Sequence, residues 1–240
     1  MKWLVFAKRN AKEILRDPLT LFFGLGFPVI LLLLLTMIQR NIPVAMFELE
    51  QLTPGIVVFG YSFLCLFAAL LVSKDRGTSF LLRLFSSPMT ASDFILGYLL
   101  PLLPMAAAQC LLTYLLAALL GLQLTLSTLA SGALSLLTAM MFIALGLLLG
   151  TLLNDKQVGG ICGALVTNLS AWLSGTWFSL ELVGGWFKKL AFVLPFANGV
   201  ELGRAAIQGQ SLTPWLWWCL AYAVAPTVAA IAVFRAKMKA

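Results

Sequence analysis

The sequence predicts an all-α polytopic membrane protein: six transmembrane helices, an N-terminal amphipathic interfacial helix, and re-entrant helices between spans 5 and 6. Runs of about 20 apolar residues follow one another, the length that crosses a hydrocarbon layer of about 30 Å. Only 10% of the residues are charged and 61% are hydrophobic. A soluble domain carries about 25% charged residues, so a polar shell is missing here. The charges that remain gather in the interruptions between runs, and the whole chain, 1–240, reads as a single transmembrane domain.

Residues 2–16 form the interfacial helix. Trp3, Phe6, Ala7, Ala11, Ile14 and Leu15 make one face, and Lys8, Arg9, Lys12, Glu13 and Arg16 the other. Such a helix lies in the membrane plane with its cations toward anionic lipid headgroups. Asp17 caps and Pro18 opens the next helix. The acids ahead of this full-length apolar run argue against a cleaved signal peptide. The first span, 19–38, holds Gly24, Gly26 and Pro28, which predict a kink or a close neighbour.

A second span, 54–72, leads into 73–93, the longest polar interruption on its side of the chain. It carries Lys74, Asp75, Arg76, Arg83 and Asp93, with Phe80, Leu81, Leu84 and Phe85 spaced as one face of a short helix. Tethered between two spans, that helix cannot bury its face within itself, so it lies on the bilayer or presses into a partner. Thr90 followed by Asp93 is a capping box for the third span, 94–120. The fourth span, 126–153, carries Gly146 and Gly150, a close-packing pair. A short turn at 154–157 precedes the fifth span, 158–180. Residues 181–213 are apolar, but Gly184, Gly185 and Pro195 cut them into pieces of about 10–14 residues, too short to cross. The last span, 214–234, opens on Trp215, Trp217 and Trp218, an aromatic belt.

Twelve of the 16 cations fall on one side: Lys2, Lys8, Arg9, Lys12, Arg16, Lys74, Arg76, Arg83, Lys156, Arg235, Lys237 and Lys239. The positive-inside rule makes that side, with both termini, cytoplasmic. The net charge of +7 is therefore a matter of topology, and nucleic acid is not an expected partner. Histidine is absent, which removes the commonest general base and metal ligand. Cys65, Cys110, Cys162 and Cys219 lie in separate hydrophobic segments without a CxxC pair, so no metal site is expected. None of the 25 charged side chains falls mid-span, where each costs about 2.5–3.5 kcal/mol and usually marks a proton or ion path. There is no GxxxxGK[ST] phosphate loop, so energy for uphill movement must come from another polypeptide.

Asp75-Arg76-Gly77-Thr78, Leu84-Phe85-Ser86-Ser87-Pro88-Met89 and Asp93-Phe94-Ile95-Leu96-Gly97 form one motif block. Leu173-Ser174-Gly175-Thr176-Trp177-Phe178, Leu194-Pro195-Phe196-Ala197 and Arg204-Ala205-Ala206-Ile207-Gln208-Gly209 form a second. Together, over nearly the whole chain, they resemble the ABC-2 type (type V exporter) permeases; Lys74 and Leu180 depart from the pattern. The resemblance implies a non-enzymatic transport subunit in a bacterial plasma membrane. It implies pairing with a second copy or a homologous permease, and with cytosolic ABC ATPase subunits that hold the ATP and Mg; no cofactor is expected in this chain. It places the coupling helix at Arg76, Gly77, Thr78, Phe80, Leu81, Arg83, Leu84 and Phe85. The apolar face would sit in an ATPase groove, with Arg76 and Arg83 paired to acids there.

The resemblance further implies a translocation path where the second and fifth spans meet at a dimer interface. Asn168, Trp172, Thr176 and Ser179 share a face at i, i+4, i+8, i+11, and Phe59, Phe63 and Phe67 form an aromatic stripe. A stripe of this kind also suits lipid or a neighbouring helix. Glu181, Pro195, Glu201 and Arg204 are the expected outer gate. Neutral and aromatic lining suits a hydrophobic or amphipathic cargo. An ATP-independent channel or facilitator remains the alternative.

Overall fold

A computed structural model describes residues 2–43, 47–78, 80 and 89–239. The described residues are helical throughout, joined by short turns. Helix α1, Lys2–Arg16, is followed by α2, Pro18–Gln39, in which Phe22–Gly26 is a π-helical turn. Pro28 has no N–H to give to the carbonyl of Gly24, and the widened turn absorbs that loss. Helices α3 (Leu49–Gly77), α4 (Ala91–Leu120) and α5 (Leu126–Leu152) are long and unbroken. Helix α6 covers 155–173, with Gly159–Val166 in π geometry. Then come α7 (Leu180–Val183), α8 (Gly185–Val193), α9 (Pro195–Ile207) and α10 (Thr213–Lys239).

Among the described residues, five helices are long and apolar enough to cross a membrane: α2, α3, α4, α5 and Thr213–Ala236 of α10. The pair α8 and α9 adds up to one more crossing, but it is bent by 84°, in line with the broken, re-entrant segment expected over 181–213. The expected fifth span needs correction. The helix stops at Leu173 rather than 180, and Gly175 turns the chain with φ of +71°. At 1.5 Å per residue, 155–173 is about 28 Å long, enough to cross, yet Gln157, Thr167, Asn168 and Ser170 make it poorer in apolar residues than the others.

Helix α3 is the hub. Of its most apolar stretch 83% is buried, against 17% for the last span. Its closest neighbour is α5, and Gly146 and Gly150 explain why. A Cβ built on Gly146 would stand 2.2 Å from the carbonyl oxygen of Cys65, and one on Gly150 2.6 Å from that of Ala69. The glycine pair is thus an intramolecular helix contact.

Hydroxyl pairs stitch the layer around it. Tyr61 Oη and Ser135 Oγ lie 3.0 Å apart, and Tyr114 Oη meets Ser131 Oγ, which donates to the Gly203 carbonyl of α9. The aromatic stripe is packed inside the chain. Phe59 and Phe67 are buried, and Phe59 and Phe63 pack with Phe23, Phe27 and Trp177.

Sequence-predicted caps form as expected. Asp17 accepts from the Leu19 N–H and the Thr20 hydroxyl, with Pro18 at the first helical position. Thr90 and Asp93 exchange hydrogen bonds as a capping box. Helix α1 differs from its predicted posture. Phe6, Ala7, Asn10 and Ile14 are buried, with Phe6 against Phe94 and Tyr98 of α4, so this face is spent on the protein rather than the bilayer. Leu4, Val5 and Leu15 stay exposed along the helix edge.

Candidate functional site

Two clusters stand at opposite ends of the bundle. The first lies at the basic end, where α3 finishes and α4 begins. Asp75, in the last turn of α3, is 4% exposed and accepts both arms of the Arg9 guanidinium, at 2.6 and 2.8 Å. Tyr98 Oη donates to the same carboxylate at 2.9 Å. Asn10, set in the apolar face of α1, donates to the Gly97 carbonyl and accepts from Arg9. Three helices are therefore joined by one carboxylate. Burial works against the charge of Arg9, but the hydrogen bond and charge of Asp75 outweigh it and hold the guanidinium pKa above its ordinary value. The Phe80 ring lies under Arg9 at 4.5 Å and stacks on Phe6.

Arg76 points the other way along the same end. Its Nη1 donates to the carbonyls of Gly150, Thr151 and Leu153, closing the C-terminus of α5, where a cation suits both the free carbonyls and the helix dipole. Gly77 is the last residue of α3, and the Thr78 hydroxyl donates to the Asp75 carbonyl. Arg76 and Phe80 thus make these contacts within the chain. Leu81, Arg83, Leu84 and Phe85 lie outside the described residues.

At the other end, Arg204 of α9 gathers three segments. Its Nε donates to the Gln51 carbonyl at 3.0 Å, Nη2 to the Gly175 carbonyl at 2.9 Å, and Nη1 to Glu201 at 2.9 Å. Lys188 pairs with Glu181. Between them opens a cavity of about 520 Å³ lined by Gln51, Leu52, Gly175, Thr176, Phe178, Ser179, Leu180, Glu181, Leu182, Phe192, Glu201, Arg204 and Trp215.

Five of the sequence-predicted residues meet there: Thr176, Ser179, Glu181, Glu201 and Arg204. The others do not. Pro195 is buried as the first residue of α9. Asn168 and Trp172 are exposed on α6, and Asn168 bonds back to the Ala164 carbonyl. The predicted face through 168, 172, 176 and 179 is broken because the helix ends at Leu173. Beyond that point Thr176 turns inward to Ser174, and Ser179 caps α7.

Sequence reasoning missed Arg9, Asn10, Tyr98 and the fate of Asp75. A polar Asn10 between Phe6 and Ile14, at i, i+4, i+8 on an apolar stripe, was the available signal that this face meets protein and not lipid.

The family model described as ABC-2 type transporter matches residues 1–208. No curated protein matches the chain. A match over 208 of 240 residues, on a helical bundle with five to six possible crossings, makes this chain a member of the ABC-2 type transporter family, the multi-pass membrane permease of an ABC transporter.

Proposed function

We propose that the chain is the membrane half of an ATP-driven exporter, moving a hydrophobic or amphipathic cargo outward across a bacterial plasma membrane. ATP and Mg are bound by separate cytosolic ATPase subunits, which dock on 73–93 and the basic end around it. The termini lie in the cytoplasm, on the side that carries most of the cations.

The observation that carries this reading is α3. It is one unbroken helix of 29 residues, about 43 Å long, with Asp75 at one end and Gln51 at the other. A push on 73–93 therefore reaches the distant cavity through a single rigid element. Gly55 of α3 has no side chain where Thr176 presses in: a Cβ there would sit 2.8 Å from the Thr176 methyl. Movement of α3 must move Thr176, and the Arg204–Gln51 bond must stretch or follow.

Helix α6 supports a second copy beside the first. It is long enough to cross but exposes Asn168, Gly159 and Gly160, which a lipid tail solvates poorly. Pairing of two such helices covers them and places the path between copies.

The experiment is purification of the tagged permease from its host membrane, followed by reconstitution. The reading expects a cytosolic ATPase to copurify and cargo flux to require hydrolysable ATP. Cargo flux in vesicles holding the permease alone would overturn it in favour of an ATP-independent channel.

A further inference from the structure

We infer that the cavity pinned by Arg204 is a binding site for amphipathic organic cations with an aromatic or bulky apolar body. Its volume of about 520 Å³ lies within the range of sites that hold drug-sized molecules. Phe178, Phe192 and Trp215 supply aromatic walls, and Phe192 and Trp215 stack on each other at 5.4 Å. Ring faces attract cations.

The charges on the wall favour the same sign of guest. Glu181 and Glu201 both border the cavity, and each commits one oxygen, Oε1, to a cation of the chain. Among the described residues their second oxygens have no partner. Arg204, in contrast, is only 12% exposed and directs N–H groups to Gln51, Gly175 and Glu201, so its charge is held in the wall. Lys188 borders the rim without lining the cavity. A guest therefore meets carboxylate oxygens and ring faces within the cavity. Each carboxylate is balanced by a paired cation, so the preference for a cationic guest rests on the second carboxylate oxygens and the ring faces that border the cavity.

This inference rests on the transport reading for its purpose, but binding is measurable without the ATPase. The test uses the full-length permease in nanodiscs of zwitterionic lipid, with tetraphenylphosphonium and tetraphenylborate, ions of matched shape and opposite charge. Retention is counted above empty nanodiscs. The site predicts saturable binding of the phosphonium and none of the borate. It predicts about tenfold weaker phosphonium binding in Glu201→Gln, and a severalfold loss (about 3-fold) in Phe192→Leu.

If Glu201→Gln does not assemble as the wild type does, Glu181→Gln decides, since the Glu181 side chain is 72% exposed and its exchange leaves the fold intact. Equal binding of both ions, or wild-type phosphonium affinity in the deciding Glu→Gln variant, overturns the site. Saturable phosphonium binding in a permease that moves cargo without ATP would keep the site and remove the transport reading. Failed binding in a complex with ATP-driven cargo flux would do the reverse.

Discussion

At the basic end a carboxylate is driven into the protein and closed over by Arg9 and Tyr98, with Phe80 stacked beneath the arginine. At the opposite end an arginine faces backbone carbonyls from two separate segments and one glutamate, around an open cavity. The first arrangement is a filled joint: the buried Asp75 carboxylate meets a charge and a hydroxyl, and of its partners Arg9 alone keeps contact with water. The second holds a mostly buried guanidinium, 12% exposed, on two neutral carbonyls and a single carboxylate oxygen, so fewer of its bonds join charge to charge. The same residue type therefore makes a doubly charge-paired joint at one end and a latch of mainly neutral acceptors at the other. A rod, α3, runs between them.

The largest effect should come from breaking the filled joint. Asp75→Ala leaves Tyr98 without its acceptor and Arg9 with only Asn10 and Glu13. Because Arg9 is 38% exposed and can turn to water, the loss should be about 2–4 kcal/mol, below the full cost for a sealed pair. Thermal unfolding in detergent would register it, and Asp75→Asn, which keeps an acceptor for Tyr98, should recover part of it.

Next in size is damage to the rod's bed. Gly146→Val forces a side chain into the Cys65 carbonyl and should cost about 1–3 kcal/mol, seen in the same melts. Arg204→Lys keeps the charge but loses the three separate nitrogens that reach Gln51, Gly175 and Glu201, and should cost about 1 kcal/mol. Its signature is access. A cysteine placed at Thr176, buried in the wild type, should react several times (about 3–10-fold) faster with a membrane-impermeant thiol reagent once the latch is loosened. An unchanged rate would mean that Arg204 does not keep position 176 buried.

The smallest effect concerns the hinge between α1 and α2. The Thr20 hydroxyl, aided by the backbone at Leu19, lowers the Asp17 pKa below the usual carboxylate value. A lowered native pKa stabilises the fold above the unfolded pKa of about 4, and that contribution fades as pH falls through the native value. Asp17→Ala should therefore cost about 1 kcal/mol at neutral pH. The gap from wild type should narrow in strong acid, and a pH series of melts reads it directly.

What the sequence made legible was local. Caps at Asp17 and Thr90, the glycine pair of α5 and the broken run over 181–213 each depend on residues within a few positions. The missed features join distant positions. Arg9 and Asp75 are 66 residues apart, and nothing in either neighbourhood announces the other. The shared face of residues 168, 172, 176 and 179 broke for a related reason: helical spacing was carried past Leu173 and across Gly175, whose left-handed backbone lies beyond the helix end. The aromatic stripe was correct as a stripe, but α3 is buried on nearly all sides, so periodicity could not say which neighbour it meets.

The most direct test follows the rod. In the assembled transporter with its ATPase, the labelling rate of a cysteine at position 176 is measured with and without ATP, first with Asp75 intact and then in Asp75→Asn. The account predicts that ATP changes the rate when the joint is whole and loses most of that effect when it is loosened. The same ATP response in both proteins would contradict it.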